Sequence, residues 1–122
     1  SANTRASAAS SAPAGSPLTT AEVIEIPAGG PGGDVIAPDV IGLKDGRWLL
    51  MWTEGTSGER AIRAQTYDSQ MSPVGDPIAL SPPAGNFGQA VLGVVGTYTT
   101  VAFLQAADTK YELWGAVLQC GS

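Results

Sequence analysis

Two stretches of this chain carry the same order of strand and turn signals, and that repetition limits the possible folds more than any other feature. A shift of 51 residues lays Gly42 on Gly93, Val40 on Val91, Trp52 on Phe103, Ile62 on Leu113 and Tyr67 on Leu118. Residues 37–43 then match 88–94, residues 47–54 match 98–105, and residues 61–68 match 112–119, without a gap. Turn residues fall at the same place in each copy, Asp45-Gly46 in the first and Val95-Gly96-Thr97 in the second. A strand repeat of about 50 residues is one supersecondary unit, and it needs a neighbour to cover its apolar faces.

The longest strand signal, RWLLMWTE at 47–54, places Trp48, Leu50 and Trp52 on one face and Leu49, Met51 and Thr53 on the other. Both faces are apolar, so this strand is expected to be covered on both sides. Trp48, Trp52, Tyr98 and Phe103 are read as core. A loop after 61–68 leads to a fourth strand at 76–81, and no apolar run keeps a helical period. The 16 glycines and 9 prolines suit short strands and tight corners.

The copies are incomplete in complementary ways. The second ends at Cys120 after its third strand, while an extra strand signal, AEVIEIP at 21–27, precedes the first. A blade lacking its outer strand, with a loose outer strand at the other terminus, is the arrangement that closes β-propeller rings. The expectation is an all-β fold of two four-stranded antiparallel propeller-type blades, completed by homo-oligomerisation through strand 21–27 and the blade faces. The competing architecture is an eight-stranded sandwich or barrel. Repeat 1 spans about 37–81 and repeat 2 about 88–120.

Residues 1–18, Ser- and Ala-rich with Pro and one charge at Arg5, have the composition of a tail or linker. They resemble the tether that follows the signal peptide or lipid-bearing Cys of bacterial envelope proteins, which implies a secreted or cell-envelope location.

Charge narrows the partners. With a net charge of −5 and only six Lys and Arg, the chain lacks a basic surface able to neutralise several phosphates, which argues against nucleic acid. No apolar run reaches the length of a membrane-spanning helix. There is no His, so Ser–His–Asp and Cys–His catalysis are excluded and zinc loses its commonest ligand. Cys120 has no partner within the chain and is read as a small hydrophobe, a free thiol or an intermolecular bridge. Asp34, Asp39 and Asp45 do not form a calcium-loop motif, and no cofactor is expected. Gly55-Thr56-Ser57-Gly58 reads as a hairpin loop, since Glu59 occupies the last Gly position of a nucleophile elbow. Trp114 and Tyr111 stand near the start of the last strand beside Lys110 and Glu112, where an aromatic ring with polar neighbours suits a sugar or a subunit boundary. Together with Arg63 they are the candidate ligand-binding residues.

Residues 62–81, IRAQTYDSQMSPVGDPIALS, resemble a repeat of secreted bacterial β-propeller-like proteins, in which (I/V)-x-A-Q-x-(Y/F)-D leads through Pro-Val-Gly to an outer strand. The hairpin from Gly46-Arg47-Trp48 to Met51-Trp52-Thr53 is similar to the same repeat. The two-repeat layout also resembles that of two-blade oligomeric propeller lectins. Their sugar-binding Arg, Glu and Trp pattern is not repeated, because Arg63 is matched by Trp114 and Glu54 by Gln105. The resemblance implies export and a blade-type fold and carries no catalytic residue. The expected function is a binding or structural module for carbohydrate or protein. The alternative is a glycoside-active enzyme or a fragment of a larger propeller hydrolase.

Overall fold

The computed structural model describes residues 17–18, 23–28 and 33–119. Among them there is no helix, and seven strands form two antiparallel sheets in which each strand pairs with the next in sequence. The first sheet holds β1 (Asp34–Gly42), β2 (Trp48–Gly55), β3 (Ala61–Tyr67) and β4 (Pro73–Ala79), in that order. The second holds β5 (Phe87–Val95), β6 (Tyr98–Ala107) and β7 (Lys110–Leu118), and neither sheet closes on itself. The tail expected at 1–18 lies outside the described residues apart from Pro17 and Leu18, and Cys120 lies outside them entirely.

Turn chemistry sets the hairpins. Gly46 at φ +88° closes the β1–β2 turn, with its N–H donated to the Leu43 carbonyl at 3.2 Å. Asp108 at φ +49° and Gly96 at φ +60° allow two-residue turns, between Ala107 and Lys110 and between Val95 and Tyr98. At Gly55, φ is +112° and a Cβ would come 2.8 Å from the Glu59 carbonyl oxygen, so a side chain there is excluded twice over. The edge strand β4 carries Pro73 and Pro77, as an edge tolerates.

The register shows how closely the two sheets correspond. The β1–β2 pairing shifts between Ile36 and Asp39, and the β5–β6 pairing shifts between Gly88 and Val91. Each irregularity holds a non-glycine residue in the left-handed region, Ala37 at φ +53° and Gln89 at φ +52°. Through these bulges Asp39 pairs with Met51, and Val91 pairs with Ala102. Met51 pairs in turn with Ala64, and Ala102 with Gly115. The second and third strands therefore correspond under the 51-residue shift, so Trp52 matches Phe103 and Ile62 matches Leu113. The first strands correspond under 52, one residue more than expected. Val40 matches Leu92 rather than Val91, and Gly42 matches Val94 rather than Gly93. Two glycines at similar places suggested the shorter shift, but the bulge fixes the pairing.

The sheets pack on each other through one side of each, called here the near side. Leu49, Met51, Ile62 and Ala64 of the first sheet form one buried cluster with Phe87, Ala90, Val101 and Phe103 of the second. Strand β5 lies nearest the first sheet, and polar contacts seal the junction. The Leu92 N–H donates to Asp39 Oδ2 at 3.0 Å, the Phe87 N–H to the Arg60 carbonyl at 2.8 Å, and the Arg60 N–H to Asn86 Oδ1 at 3.1 Å. Burying these eight apolar side chains contributes about 1.5–3 kcal/mol for each large one.

Two expectations need correction, the burial of Tyr98 and the start of the fourth strand. Tyr98 is 45% exposed and is not core, because it pairs with Val95 on the far side of the second sheet. The first sheet has four strands and the second three, as expected of a second copy that ends after its third strand, and among the described residues the outer edge of β7 is unpaired. Val23–Pro27, part of the strand expected at 21–27 to complete the blade of a neighbouring subunit, join neither sheet of the single chain, and Ala21 and Glu22 lie outside the described residues. The last strand of the first sheet also begins earlier than expected, at Pro73, because Gln65 Nε2 donates to the Val74 and Gly75 carbonyls and draws that stretch alongside β3.

Candidate functional site

Residues facing each other across a ladder share a side, so the pairings divide each sheet cleanly. The far side of the second sheet carries Val91, Val95, Tyr98, Tyr111, Leu113 and Val117, between 45% and 77% exposed. Gly88, Gly93, Thr100, Ala102, Leu104, Ala106 and Gly115 fill the positions among them, and no ladder position on that side is charged. This is an open, uncharged, largely apolar surface spanning all three strands.

The three candidate ligand residues fall on three different surfaces. Tyr111, 67% exposed, stands on that far side beside Ala106. Trp114 is on the opposite side of the same strand, 40% exposed, where its ring stacks on Phe103 with centroids 6.5 Å apart. It also meets Phe87 edge-on at 6.1 Å, and its Nε1–H donates to Gln105 Oε1 at 3.0 Å. The odd spacing between Tyr111 and Trp114 separates them, and their nearness in sequence does not make one site.

Arg63 lies on the far side of the first sheet, its Nε 3.7 Å from Glu54 Oε2. Trp52 Nε1–H donates to the other oxygen of Glu54 at 2.8 Å. The same three ladder positions thus hold Trp52, Glu54 and Arg63 in the first sheet and Phe103, Gln105 and Trp114 in the second. In each, the side chain at the end of the middle strand accepts a hydrogen bond from a tryptophan. Nearby on this side, Trp48 stacks on Tyr67 at 4.6 Å and donates to the Asp68 carbonyl at 3.1 Å. Burial pushes the Tyr67 phenol above its usual 10.0.

A shallow cleft of about 200 Å³ opens between the β2–β3 loop and the start of β5, with Arg60, Asn86, Gln89 and Tyr111 among its lining residues. Arg60 is held there by the Gly55 carbonyl at 3.2 Å and by Asp34 at 3.8 Å. Among the described residues no three His, Cys, Asp or Glu side chains gather as a metal site. No helix among them is long and apolar enough to cross a membrane.

Reading the sequence for motifs missed the open face of the second sheet as a site. Its signal was the alternation of Tyr111, Leu113 and Val117 along β7, which marks an apolar side without saying that the side is uncovered. No family model, curated protein or solved structure matches the chain.

Proposed function

We propose that this chain is an extracytoplasmic interaction module of blade-like sheets, acting by binding and not by chemistry, with the far side of the second sheet as its working surface. The observation that carries the reading is the exposure of Val91, Val95, Tyr98, Tyr111, Leu113 and Val117 on one uncharged side. Soluble proteins seldom leave so continuous an apolar surface to water unless something binds it. Tyrosine and branched aliphatic side chains without Lys or Glu are also the composition of an interface centre. The Ser- and Ala-rich stretch at 1–18 supports the extracytoplasmic placement.

A second reading, carbohydrate binding, draws on the cleft. An exposed tyrosine ring beside an amide and a guanidinium offers stacking together with hydrogen bonding.

The two readings separate on paired variants. Wild type, Leu113→Asp and Arg60→Ala are compared for self-association by light scattering, for protein capture and for binding on a glycan array. The interaction-module reading expects association or capture that Leu113→Asp abolishes and Arg60→Ala leaves unchanged. Glycan binding lost in Arg60→Ala favours the second reading. A wild-type chain that binds nothing, or a Leu113→Asp variant that retains every interaction, overturns the first.

A further inference from the structure

The two sheets of this chain meet by unlike sides. In the first sheet the near side is the one bearing Leu49, Met51 and Ile62. The corresponding positions in the second sheet are Thr100, Ala102 and Leu113, which lie on its far side. Conversely, the near side of the second sheet carries Phe87, Leu92, Val101 and Phe103. Their counterparts in the first sheet, Val35, Val40, Leu50 and Trp52, lie on the far side of that sheet. A sandwich of two equivalent sheets related by a two-fold axis would bring like sides together. Here the front of one repeat meets the back of the next, which is a heterologous contact. Such a contact leaves one unused front and one unused back.

We infer that the open side of the second sheet is the seat for a second copy of this chain, which docks the far side of its first sheet there and so repeats the contact already made within the chain. The proposal rests on the interaction-module reading and names its partner. The correspondence gives the docking residues. Within the chain, Phe87 and Leu92 of β5 press onto Ile62 and its neighbours, Phe87 being 3% and Ile62 0% exposed. Their equivalents are Val35 and Val40 on one copy, 46% and 55% exposed, and Leu113 on the other, 77% exposed. All three are apolar residues left in water at positions whose repeat partners belong to the buried cluster or pack against it.

Charge does not oppose the contact. The open side of the second sheet carries no charged ladder position, and the far side of the first has Arg63 and Glu54 already paired. At the described ladder positions the two surfaces that would meet therefore carry no net charge. Half-buried Trp48 and Leu50 beside Val40 extend the apolar seat on the first sheet.

A complementation experiment tests the geometry. Leu113→Asp disables one docking surface and Val40→Asp the other; both positions are exposed, so each variant is expected to fold, as circular dichroism would verify. Val35→Asp stands in should Val40→Asp misfold. Light scattering in the micromolar range should give wild type a mass that is a multiple of the 12.3 kDa chain and each variant the mass of a single chain. Mixing the two variants should restore a pair and no larger species, because one intact front then meets one intact back. If Val40→Asp associates as wild type does, the open side pairs with itself and the proposal falls. A monomeric wild type whose capture of another protein is lost in Leu113→Asp also ends the proposal, yet leaves the interaction-module reading standing. Capture that survives Leu113→Asp ends both.

Discussion

The two sheets share strand order, bulge position and register, yet Ile62 is fully buried in one while Leu113, at the corresponding place in the other, is 77% exposed. The difference does not come from local sequence, since both residues are large aliphatics on a third strand. It comes from position in the stack. Among the described residues the first sheet has a neighbour on its front and the second has none, so one residue is core and the other is surface. Between these two positions, exposure follows whether the other sheet faces them.

The largest expected effect tests that comparison directly. Ile62→Ala should cost about 2–5 kcal/mol, the usual range for emptying a tightly packed aliphatic site. Leu113→Ala should be within about 0.5 kcal/mol of wild type in dilute solution, as surface substitutions are. Urea denaturation at low and high protein concentration adds a second readout. If a further copy covers Leu113, its alanine variant loses stability only at high concentration, because partner binding stabilises the folded state by mass action. The cost at Ile62 should not depend on concentration. Equal costs at both positions in dilute solution would mean that the second sheet is covered within the single chain.

Much of this was legible in the residues. The alternation of Leu49 and Met51 with Trp48, Leu50 and Trp52 marked β2 as a strand with two apolar sides, and turn residues at Gly46 and at Gly55-Thr56-Ser57-Gly58 bounded it. Other features depend on long-range pairing and could not be read locally. Trp114 and Tyr111 look like neighbours along the chain, but the two-residue period of a strand sends them to opposite sides. The extra residue at the two bulges changes the repeat shift from 51 to 52 in the first strands, and no composition signal marks Ala37 or Gln89 as left-handed. Tyr98 shares its residue type with Tyr67, but Tyr67 is buried and stacks on Trp48 across its ladder, whereas Tyr98 has only Val95 opposite it and is exposed.

An intermediate effect is expected where the sheets differ in strand number. The first sheet has β4, and beyond it Ser81 turns back so that its Oγ accepts the Ile62 N–H at 2.9 Å, both residues being buried. Among the described residues the second sheet has no fourth strand and no residue in this role beside Leu113. Ser81→Ala leaves a buried donor without its acceptor and should cost about 1–3 kcal/mol. Hydrogen exchange at the Ile62 amide should speed up in the variant. An unchanged rate, with stability unchanged, would show that the Ser81 hydroxyl does not hold the strand.

The smallest effect separates the two first-hairpin turns. In the first sheet Asp45 Oδ1 accepts the Arg47 N–H at 3.1 Å, and Oδ2 accepts Arg47 Nε at 2.7 Å. The corresponding turn of the second sheet, at Gly96 and Thr97, has no charged residue to do the same. The Asp45 carboxyl is held below its ordinary 3.8 first by the Arg47 backbone N–H, a slight desolvation opposes this, and the Arg47 side chain adds to the lowering. A carboxyl lowered in the folded state contributes stability above its unfolded pKa and loses that contribution as pH falls through the folded value. The contribution at so exposed a pair is small and weakens further with salt. Because the backbone N–H is the largest cause, Arg47→Gln should raise the Asp45 midpoint only in part, leaving it below the ordinary value when followed by NMR. A wild-type midpoint at or above that value would show that the turn does not use Asp45 as its clasp. The two hairpins would then differ only in the glycine that closes each.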